Sequence, residues 1–261
     1  MAAPLRVGLI GLGSIGQDLV RLAQSTVPDQ IQFVGAIVKD VNKEGRMLPA
    51  FGSVEEILEQ NPEVFLEVAG PEGLRGHGID ALNRGFNLYF LAVGSLADPE
   101  FEAEFRAAAA ASTGQARIVS GAIGALDAIA GASAGGLNHV QHTVRKHPVT
   151  LLGEAEGAAI TEERVVFRGN AREAALAYPE SVNVTAAVSF AGIGLDRTEV
   201  VVMVDPAVDR NVHTVEAEGT FGSLRFEIRN VPSEQNPKTG ALVAMSALKQ
   251  LLKEREPIAV G

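Results

Sequence analysis

The chain has 261 residues, of which 46% are hydrophobic and 21% are charged, so it can form one large or two modest folded domains. It contains no cysteine, which excludes a disulfide framework, a thiolate metal site and a cysteine nucleophile. The net charge of −10 disfavours nucleic acid as a partner, and we see neither a secretory leader nor a membrane span. We therefore expect a cytoplasmic protein that binds neither nucleic acid nor membrane.

The first half of the chain alternates strand-like and helix-like segments. Apolar runs that predict buried strands lie at 5–10, 32–38, 64–69, 87–93 and 116–120. Helical patterns lie at 17–24, 54–60, 79–84 and 99–112, and Ser53 with Glu56 predicts a capping box before the second of them. Alternation of this kind predicts a parallel sheet with helices on both faces.

The second half has a different pattern, with strands predicted at 149–152, 161–167, 198–204, 212–219 and 223–229 and helices at 171–177, 182–191 and 239–253. Leu224, Phe226 and Ile228 alternate with charged residues, which indicates a sheet with one buried face. The predicted fold is an α/β Rossmann dinucleotide-binding domain (1–120) followed by a smaller α+β domain with a mostly antiparallel or mixed sheet (121–236). The C-terminal helix (237–261) is a candidate for packing back on the first domain.

A glycine-rich loop follows the first predicted strand. Gly11, Gly13 and Gly16 match the G-x-G-x-x-G pattern, with Ser14 and Ile15 between the second and third glycines. The pattern stands between a strand and a helix, where the first glycine allows a tight turn and the second allows a pyrophosphate to approach the backbone. We interpret all five residues as cofactor-binding; the alternative is a structural turn without a nucleotide.

The second predicted strand ends at two charged residues of opposite sign. Asp40 could bond the ribose hydroxyls of NAD, whereas Lys39 could pair with the 2′-phosphate of NADP. Either residue could also be a solvated loop charge. We predict NAD as the cofactor, with NADP tolerated.

Histidine and cationic side chains supply the candidates for chemistry. His213 stands on an otherwise apolar strand face, which suits either a catalytic acid or base or a hydrogen-bonded core residue. For His139, His142 and His147 we favour a solvated loop or helix face over a metal site, so no metal is predicted. Compact groups that could hold an anionic substrate, or form a surface loop and a capped helix start, are Arg145 with Lys146 and Lys238 with Thr239.

Taken together, these segments resemble the aspartate dehydrogenase family over nearly the whole chain. The strings that carry the resemblance include GLGSIG at 11–16, EVAG at 67–70, SGAIGALDA at 120–128, YPESVNVTAA at 178–187, DPAVDRNVH at 205–213 and NPKTG at 236–240. The resemblance implies oxidation of L-aspartate by NAD(P)+ to iminoaspartate, which hydrolyses to oxaloacetate and ammonia and which also feeds NAD synthesis. It further implies a homodimer.

The resemblance also assigns roles to residues. The catalytic histidine of the family falls on His213, the nicotinamide-side contacts fall on Ala122 and Asn183, and the EVAG segment adds Ala69 to the cofactor contacts. Asn211, in the segment that carries His213, joins the expected substrate contacts. We expect His213 to be a base with a pKa near neutrality that takes a proton from the substrate amine.

One departure and two rival interpretations remain open at this point. Gly240 stands where the family leads us to expect serine, which could remove a hydroxyl donor near the substrate. The first rival is another two-domain dehydrogenase, of the sugar-oxidising or dihydrodipicolinate-reducing kind. The second rival is a nucleotide-binding module without catalysis.

Overall fold

A computed structural model of the chain describes residues 3–178, 183–233 and 239–260. The chain divides into two compact units, one formed by Met1–Gly121 with Val243–Gly261 and the other by Ala122–Leu242. Within the described ranges, no helix is long and apolar enough to cross a membrane.

The first unit contains a six-stranded sheet in the order β3-β2-β1-β4-β5-β6, and every neighbouring pair is parallel. Its strands are β1 (Leu5–Ile10), β2 (Ile31–Ile37), β3 (Ala50–Phe51), β4 (Val64–Glu67), β5 (Asn87–Phe90) and β6 (Ala116–Ile118). The strand order reverses between β1 and β4, which is the place where open α/β sheets bind ligands. The Rossmann-type prediction is confirmed.

Helices alternate with these strands, and their starts follow local capping signals. They are α1 (Ser14–Thr26), α2 (Val54–Ile57), α3 (Pro71–Gly73), α4 (Ile79–Asn83) and α5 (Pro99–Ala111). The Ser53 side chain accepts a hydrogen bond from the Glu56 N–H at the start of α2, and Asp98 caps α5 in the same way. A π-helical turn (Leu74–Gly78) joins α3 to α4, so the predicted 79–84 helix begins earlier than expected.

The second unit contains a five-stranded mixed sheet in the order β11-β10-β7-β9-β8. Its strands are β7 (Leu137–Lys146), β8 (Arg164–Asn170), β9 (Glu199–Val204), β10 (Val212–Gly219) and β11 (Gly222–Arg229). Only β7 and β9 pair in parallel, and the other three pairs are antiparallel. The predicted mostly antiparallel or mixed sheet is therefore confirmed.

Helices cover one face of this second sheet. The unit contains α6 (Leu126–Gly135), α7 (Pro148–Leu152), α8 (Glu154–Gly157), α9 (Ala171–Ala177) and α10 (Asn183–Ala191). Ile129 of α6 and Val188 of α10 belong to the same buried cluster as Val140, Val215 and Ala217 on the sheet. The alternation predicted for β11 is also present, because Leu224, Phe226 and Ile228 pack against this cluster.

Two predictions for the second unit are wrong. Residues 149–152 form α7 rather than a strand, because Pro148 takes the first helical position, the His147 ring accepts a hydrogen bond from the Val149 N–H, and Gly153 ends the helix with φ +82°. The long strand β7 is absent from the prediction, although it lies at the centre of the sheet. Its buried face carries polar residues, and these hide the period of two.

The last helix, α11 (Leu242–Leu252), and the residues after it contribute to the first unit. Glu254 accepts hydrogen bonds from the Tyr89 hydroxyl and from Arg117 (2.8 Å), and Arg255 forms an ion pair with Glu63. Burial, together with the Glu254 carboxylate, raises the pKa of Tyr89. The C-terminal residues thereby contact side chains of β5 and β6 and the residue directly before β4.

Candidate active site

The glycine loop of the first unit connects β1 to α1. Gly11 has φ +99°, and a Cβ at this position would lie 2.6 Å from the Cβ of Ala69, so only glycine fits there. Gly16 lies against the Gly11 carbonyl, where a Cβ would stand 3.1 Å from the oxygen. Gly13 differs from both, because nothing lies within 4 Å of the place where its Cβ would stand. The open side of Gly13 faces space that a ligand can enter.

The start of α1 and the cavity beside it suit an anionic dinucleotide. No side chain caps the helix at Gly13, and the first turn, which begins with Ser14 and Ile15, has no acidic residue. A cavity of about 480 Å³ lies here, lined by residues that include Gly11, Gly13, Lys39, Asp40 and Ala69. Backbone N–H groups at a helix start together with a glycine opening are the elements that hold a pyrophosphate.

The loop after β2 presents both signs of charge to the same cavity. Lys39 forms an ion pair with Glu72, and both side chains are exposed. The Asp40 carboxylate accepts a hydrogen bond from the Asn42 N–H (3.0 Å) and so shapes the turn. Arg46 donates to backbone carbonyls of the loop, and Lys43 also lines the cavity. Both predicted ribose contacts are thus exposed side chains that line the cavity.

Glu67, at the end of β4, is a buried carboxylate that the sequence analysis did not single out. It is 0% exposed and accepts four backbone hydrogen bonds, from Ala69 (2.6 Å), Gly70 (2.7 Å), Leu91 (3.2 Å) and Ala92 (2.9 Å). Burial raises the pKa of Glu67, and the four N–H donors oppose that rise. The carboxylate ties the segment that carries Ala69 to the segment that follows β5. An acidic residue at the end of an otherwise apolar strand was the available signal.

In the second unit, His213 of β10 meets His142 of β7. The Nδ1 atom of His213 lies 3.1 Å from Nε2 of His142, and the two rings are inclined by 13°. The Nδ1 atom of His142 lies 2.9 Å from the Thr185 hydroxyl on α10. His142 is fully buried, so the interpretation of His142 as a solvated loop or helix residue is wrong. Sequence spacing could not reveal the pair, because the two histidines are 71 residues apart.

The strand register separates the two predicted cations of β7. Val144 lies opposite His213, so His142, Val144 and Lys146 share the face that carries His213. Arg145 points to the other face, where it pairs with Asp205 (2.8 Å) and Glu163 (2.8 Å). The Ala207 N–H and Arg145 hold the pKa of Asp205 below its usual value. The structure thus brings Lys146, but not Arg145, to the face of His213.

The prediction of a near-neutral pKa for His213 is also wrong. Burial, together with the positive charge of Lys146, lowers the pKa of His213 to about 3. Burial and the neighbouring ring of His213 hold the pKa of His142 well below its usual value. Both imidazoles are therefore neutral at physiological pH.

A small cluster of polar contacts surrounds Asn230, which is buried at the end of β11. Its side-chain amide donates to the Ala122 carbonyl (2.9 Å), and its backbone N–H donates to the Asn211 carbonyl (2.9 Å). Gly240 lies against it, since a Cβ at position 240 would stand 3.2 Å from the Cβ of Asn230. A serine at position 240 would therefore crowd the Asn230 side chain, which would have to shift by a few tenths of an ångström. Sequence reasoning missed Asn230.

The other predicted residues lie as follows. Asn183 is the first residue of α10, two positions before Thr185. The Thr239 carbonyl accepts a hydrogen bond from the Ser233 N–H (2.7 Å), whereas Lys238 lies outside the described residues. Among the residues that the structure describes, no group of three or more histidine or acidic side chains is placed to hold a metal ion.

Family profiles match both halves of the chain, and solved structures share its fold. A family profile described as "Aspartate dehydrogenase, C-terminal" matches residues 127–254, and one described as "Homoserine dehydrogenase, NAD binding domain" matches residues 11–118. In the crystal structure of aspartate dehydrogenase from Thermotoga maritima, the fold is shared with a TM-score of 0.83 at 23% identity, over 98% of this chain and 99% of that chain. A hyperthermophilic archaeal homoserine dehydrogenase in complex with NADPH shares the fold with a TM-score of 0.62 at 10% identity, over 96% of this chain and 97% of that chain.

Similarity to curated sequences extends over at least 95% of this chain. The L-aspartate dehydrogenase of Cupriavidus taiwanensis is 38% identical over 95% of this chain and 96% of its own length. The corresponding proteins of Pseudomonas aeruginosa (98% of this chain, 100% of its own length) and Methanosarcina barkeri (98% and 99%) are 34% and 36% identical. The family profiles, these relatives and the fold with its pyridine-nucleotide-binding domain all agree. The chain belongs to the L-aspartate dehydrogenase family of oxidoreductases.

Proposed function

We propose that the protein catalyses the reversible NAD(P)-dependent oxidation of L-aspartate. A proton leaves the substrate ammonium group, a hydride leaves Cα, and the nitrogen lone pair forms the C=N bond of iminoaspartate. Water then adds to the C=N carbon and the C–N bond breaks, giving oxaloacetate and ammonia. The observation that carries the proposal is His213, a buried neutral imidazole beside Lys146, in a chain that belongs to this family.

The residues of the glycine loop fit the cofactor. When bound, a nicotinamide dinucleotide supplies the acceptor for the hydride from Cα. We assign pyrophosphate binding to the backbone at Gly11, Gly13, Ser14, Ile15 and Gly16, supported by the uncapped start of α1 and by the open space at Gly13. Further proposed cofactor contacts, from the cavity lining and from the family resemblance, are Ala69, Ala122 and Asn183.

His213 is the proposed base. A neutral imidazole can accept the ammonium proton of the substrate, because one of its ring nitrogens carries a lone pair. Its low pKa disfavours protonation without substrate, and the two carboxylates of bound aspartate would stabilise the imidazolium and raise that pKa. The substrate therefore supplies the negative charge that makes His213 an effective base.

The substrate carboxylates need donors of positive charge. Lys146 is the cation on the face of His213, and we propose that it pairs with one carboxylate. Asn211, Thr239 and Lys238 remain proposed substrate contacts on the basis of the resemblance. Arg145 is better explained as the partner of Asp205 and Glu163 than as a substrate contact.

For the cofactor choice we propose NAD with NADP accepted. The support is the mixed charge of the loop after β2, where Asp40 and Lys39 both line the cavity and Lys39 is already engaged by Glu72. The family resemblance supports a homodimer, a cytoplasmic location and a supply of iminoaspartate to NAD synthesis as further proposals.

The test is direct. The purified protein should reduce NAD+ or NADP+ with L-aspartate and not with D-aspartate, glutamate or malate, measured as absorbance of the reduced nicotinamide. His213→Ala should keep cofactor affinity and lose most turnover, with His139→Ala as the control because His139 is exposed on the same sheet. Silence with aspartate in the forward direction and with oxaloacetate and ammonia in reverse would refute the proposed substrate.

A further inference from the structure

Three buried polar side chains form a line that ends at His213. Thr185 lies on α10, His142 on β7 and His213 on β10, and the two contacts between them measure 2.9 and 3.1 Å. Thr185 is 2% exposed and His142 0%. Within the described ranges, Nε2 of His213 has no hydrogen-bond partner, so it is the nitrogen left for the substrate.

The number of ring hydrogens limits which hydrogen bonds these three side chains can form. A neutral imidazole carries one N–H, so the contact between the two rings is a hydrogen bond only when one ring donates and the other accepts. If Nδ1 of His213 donates to His142, then Nε2 of His213 carries the lone pair that a base needs. If His142 donates instead, Nε2 of His213 carries the hydrogen and cannot accept a proton.

The hydroxyl of Thr185 makes the first arrangement possible. When His142 accepts at Nε2, its own hydrogen sits on Nδ1, and the Thr185 oxygen can accept it at 2.9 Å. The Ser189 hydroxyl donates to the Thr185 carbonyl one turn further along α10 (2.9 Å), which satisfies that buried carbonyl.

We propose that His142, oriented by Thr185, is a positioning residue that holds His213 with its hydrogen on Nδ1 and its lone pair on Nε2. This inference rests on the proposed role of His213 as base. The partner is neutral, unlike the carboxylate that orients the histidine of a serine-protease triad. A neutral partner fixes the tautomer but stabilises the imidazolium less than a carboxylate would, so the substrate carboxylates supply the opposing negative charge.

The surroundings of the pair are otherwise apolar. Residues beside His213 and His142 on the same face are Val144 of β7, Val200 and Val202 of β9 and Ile228 of β11. Lys146 is the charged neighbour whose field reaches His213, and Asp127 of α6 is exposed. Within the described ranges, no carboxylate acts on the pKa of either histidine.

Three substitutions at position 142 separate positioning from packing. The amide of Gln reaches the place of the histidine Nε2, so His142→Gln can still accept the hydrogen from His213. His142→Asn reaches only toward Thr185, and His142→Phe keeps the ring shape without any hydrogen bond. We expect about a 10- to 100-fold lower kcat in the Asn and Phe variants, the usual loss for a missing orienting partner, and recovery of most of this loss in the Gln variant.

The matched measurements exclude a general structural effect. The NAD+ dissociation constant should stay within about twofold of the parent in all three variants, since a twofold change is only about 0.4 kcal/mol. Thr185→Val should lower kcat as His142→Asn does, and Thr185→Ser should not. His139→Asn is the control on the same strand. Equal loss of kcat in the Gln and Phe variants would overturn the proposal.

The tautomer itself can be observed without turnover. Nitrogen-15 NMR of the imidazoles in the wild-type protein should show His213 with hydrogen on Nδ1, and His142→Phe should show a mixture or the other tautomer. Hydrogen on Nε2 in the wild type would overturn the inference even if aspartate oxidation is confirmed. Conversely, the Nδ1 form in a protein that does not oxidise aspartate would refute the proposed function and leave the positioning intact.

Discussion

The substitution Gly13→Ala should weaken cofactor binding while it leaves the fold intact. Gly13 has φ −76° and ψ −160°, which any residue can adopt, and a Cβ there would meet nothing within 4 Å. Gly13→Ala should therefore change the free energy of unfolding by less than about 1 kcal/mol, because the restriction of the unfolded chain and the poor N-cap preference of alanine oppose each other.

The same methyl group would occupy the space that we assign to the pyrophosphate. Overpacking of a close contact costs about 1–3 kcal/mol, which corresponds to an increase of about 5- to 150-fold in the dissociation constant of the dinucleotide. Gly11→Ala should behave differently, because φ +99° and the 2.6 Å approach to the Ala69 Cβ make it costly in the free protein too. We expect Gly11→Ala to lower the free energy of unfolding by about 1–3 kcal/mol.

The assay pairs urea denaturation with fluorescence titration of NADH and NADPH. The control is Gly131→Ala on α6, an exposed helical position with open space, where alanine should add up to about 1 kcal/mol and leave both dissociation constants unchanged. A Gly13→Ala protein that binds both nucleotides as tightly as the parent would refute the assignment of the pyrophosphate to this loop.

Three other outcomes follow from the buried charges and the strand register. Glu67→Gln should lower the free energy of unfolding by about 1–3 kcal/mol for each N–H left unpaired, measured by urea denaturation. The control Glu72→Gln, at an exposed ion pair, should leave it nearly unchanged, and equal effects would contradict the role of the four hydrogen bonds. Below pH 6.5 the unfolded chain binds a proton at His213, whereas the folded chain does not, because its His213 has a pKa of about 3. The free energy of unfolding should therefore fall as the pH drops, by about 2 kcal/mol at pH 5. Thermal melts between pH 7 and pH 5 should show a shallower fall in His213→Gln than in the parent or in His139→Gln, and parallel curves would disprove the linkage. Lys146→Gln should raise the KM for aspartate at least about tenfold, as expected for the loss of a charge-assisted contact worth about 1.5–3 kcal/mol. Arg145→Gln, on the opposite face, should leave the KM unchanged. A larger increase in Arg145→Gln than in Lys146→Gln would show that the substrate lies on the other side of the sheet.

The first unit was predictable because its local signals agree with one another. The glycine pattern, the apolar strands and the cap at Ser53 each indicate the same β/α alternation, and the observed parallel order follows from it. Errors there concern the two-residue edge strand β3, which was not predicted, and the ends of elements. The short helix α2, for example, continues as a 3-10 turn instead of one regular helix.

The second unit was less predictable because its central strand carries polar residues on its buried face. His142 and Lys146 replace the apolar residues that would have shown a period of two in β7, so the central strand was missed. Conversely, residues 149–152 are apolar enough for a strand, and the proline at position 148 was the signal for a helix. His213 could be selected as a candidate from its strand face, but its partner His142 is visible only once the register of β7 and β10 is known.

The return of the chain to its first unit has a consequence for synthesis. Glu63 and Arg255, which form an ion pair, are separated by 192 residues, and the whole second unit lies between them in sequence. On a ribosome, the second unit can leave the exit tunnel complete while the first still lacks α11 and the partner of Tyr89 and Arg117. The nucleotide-binding half, although it is begun first, is thus the last part of this chain to be finished.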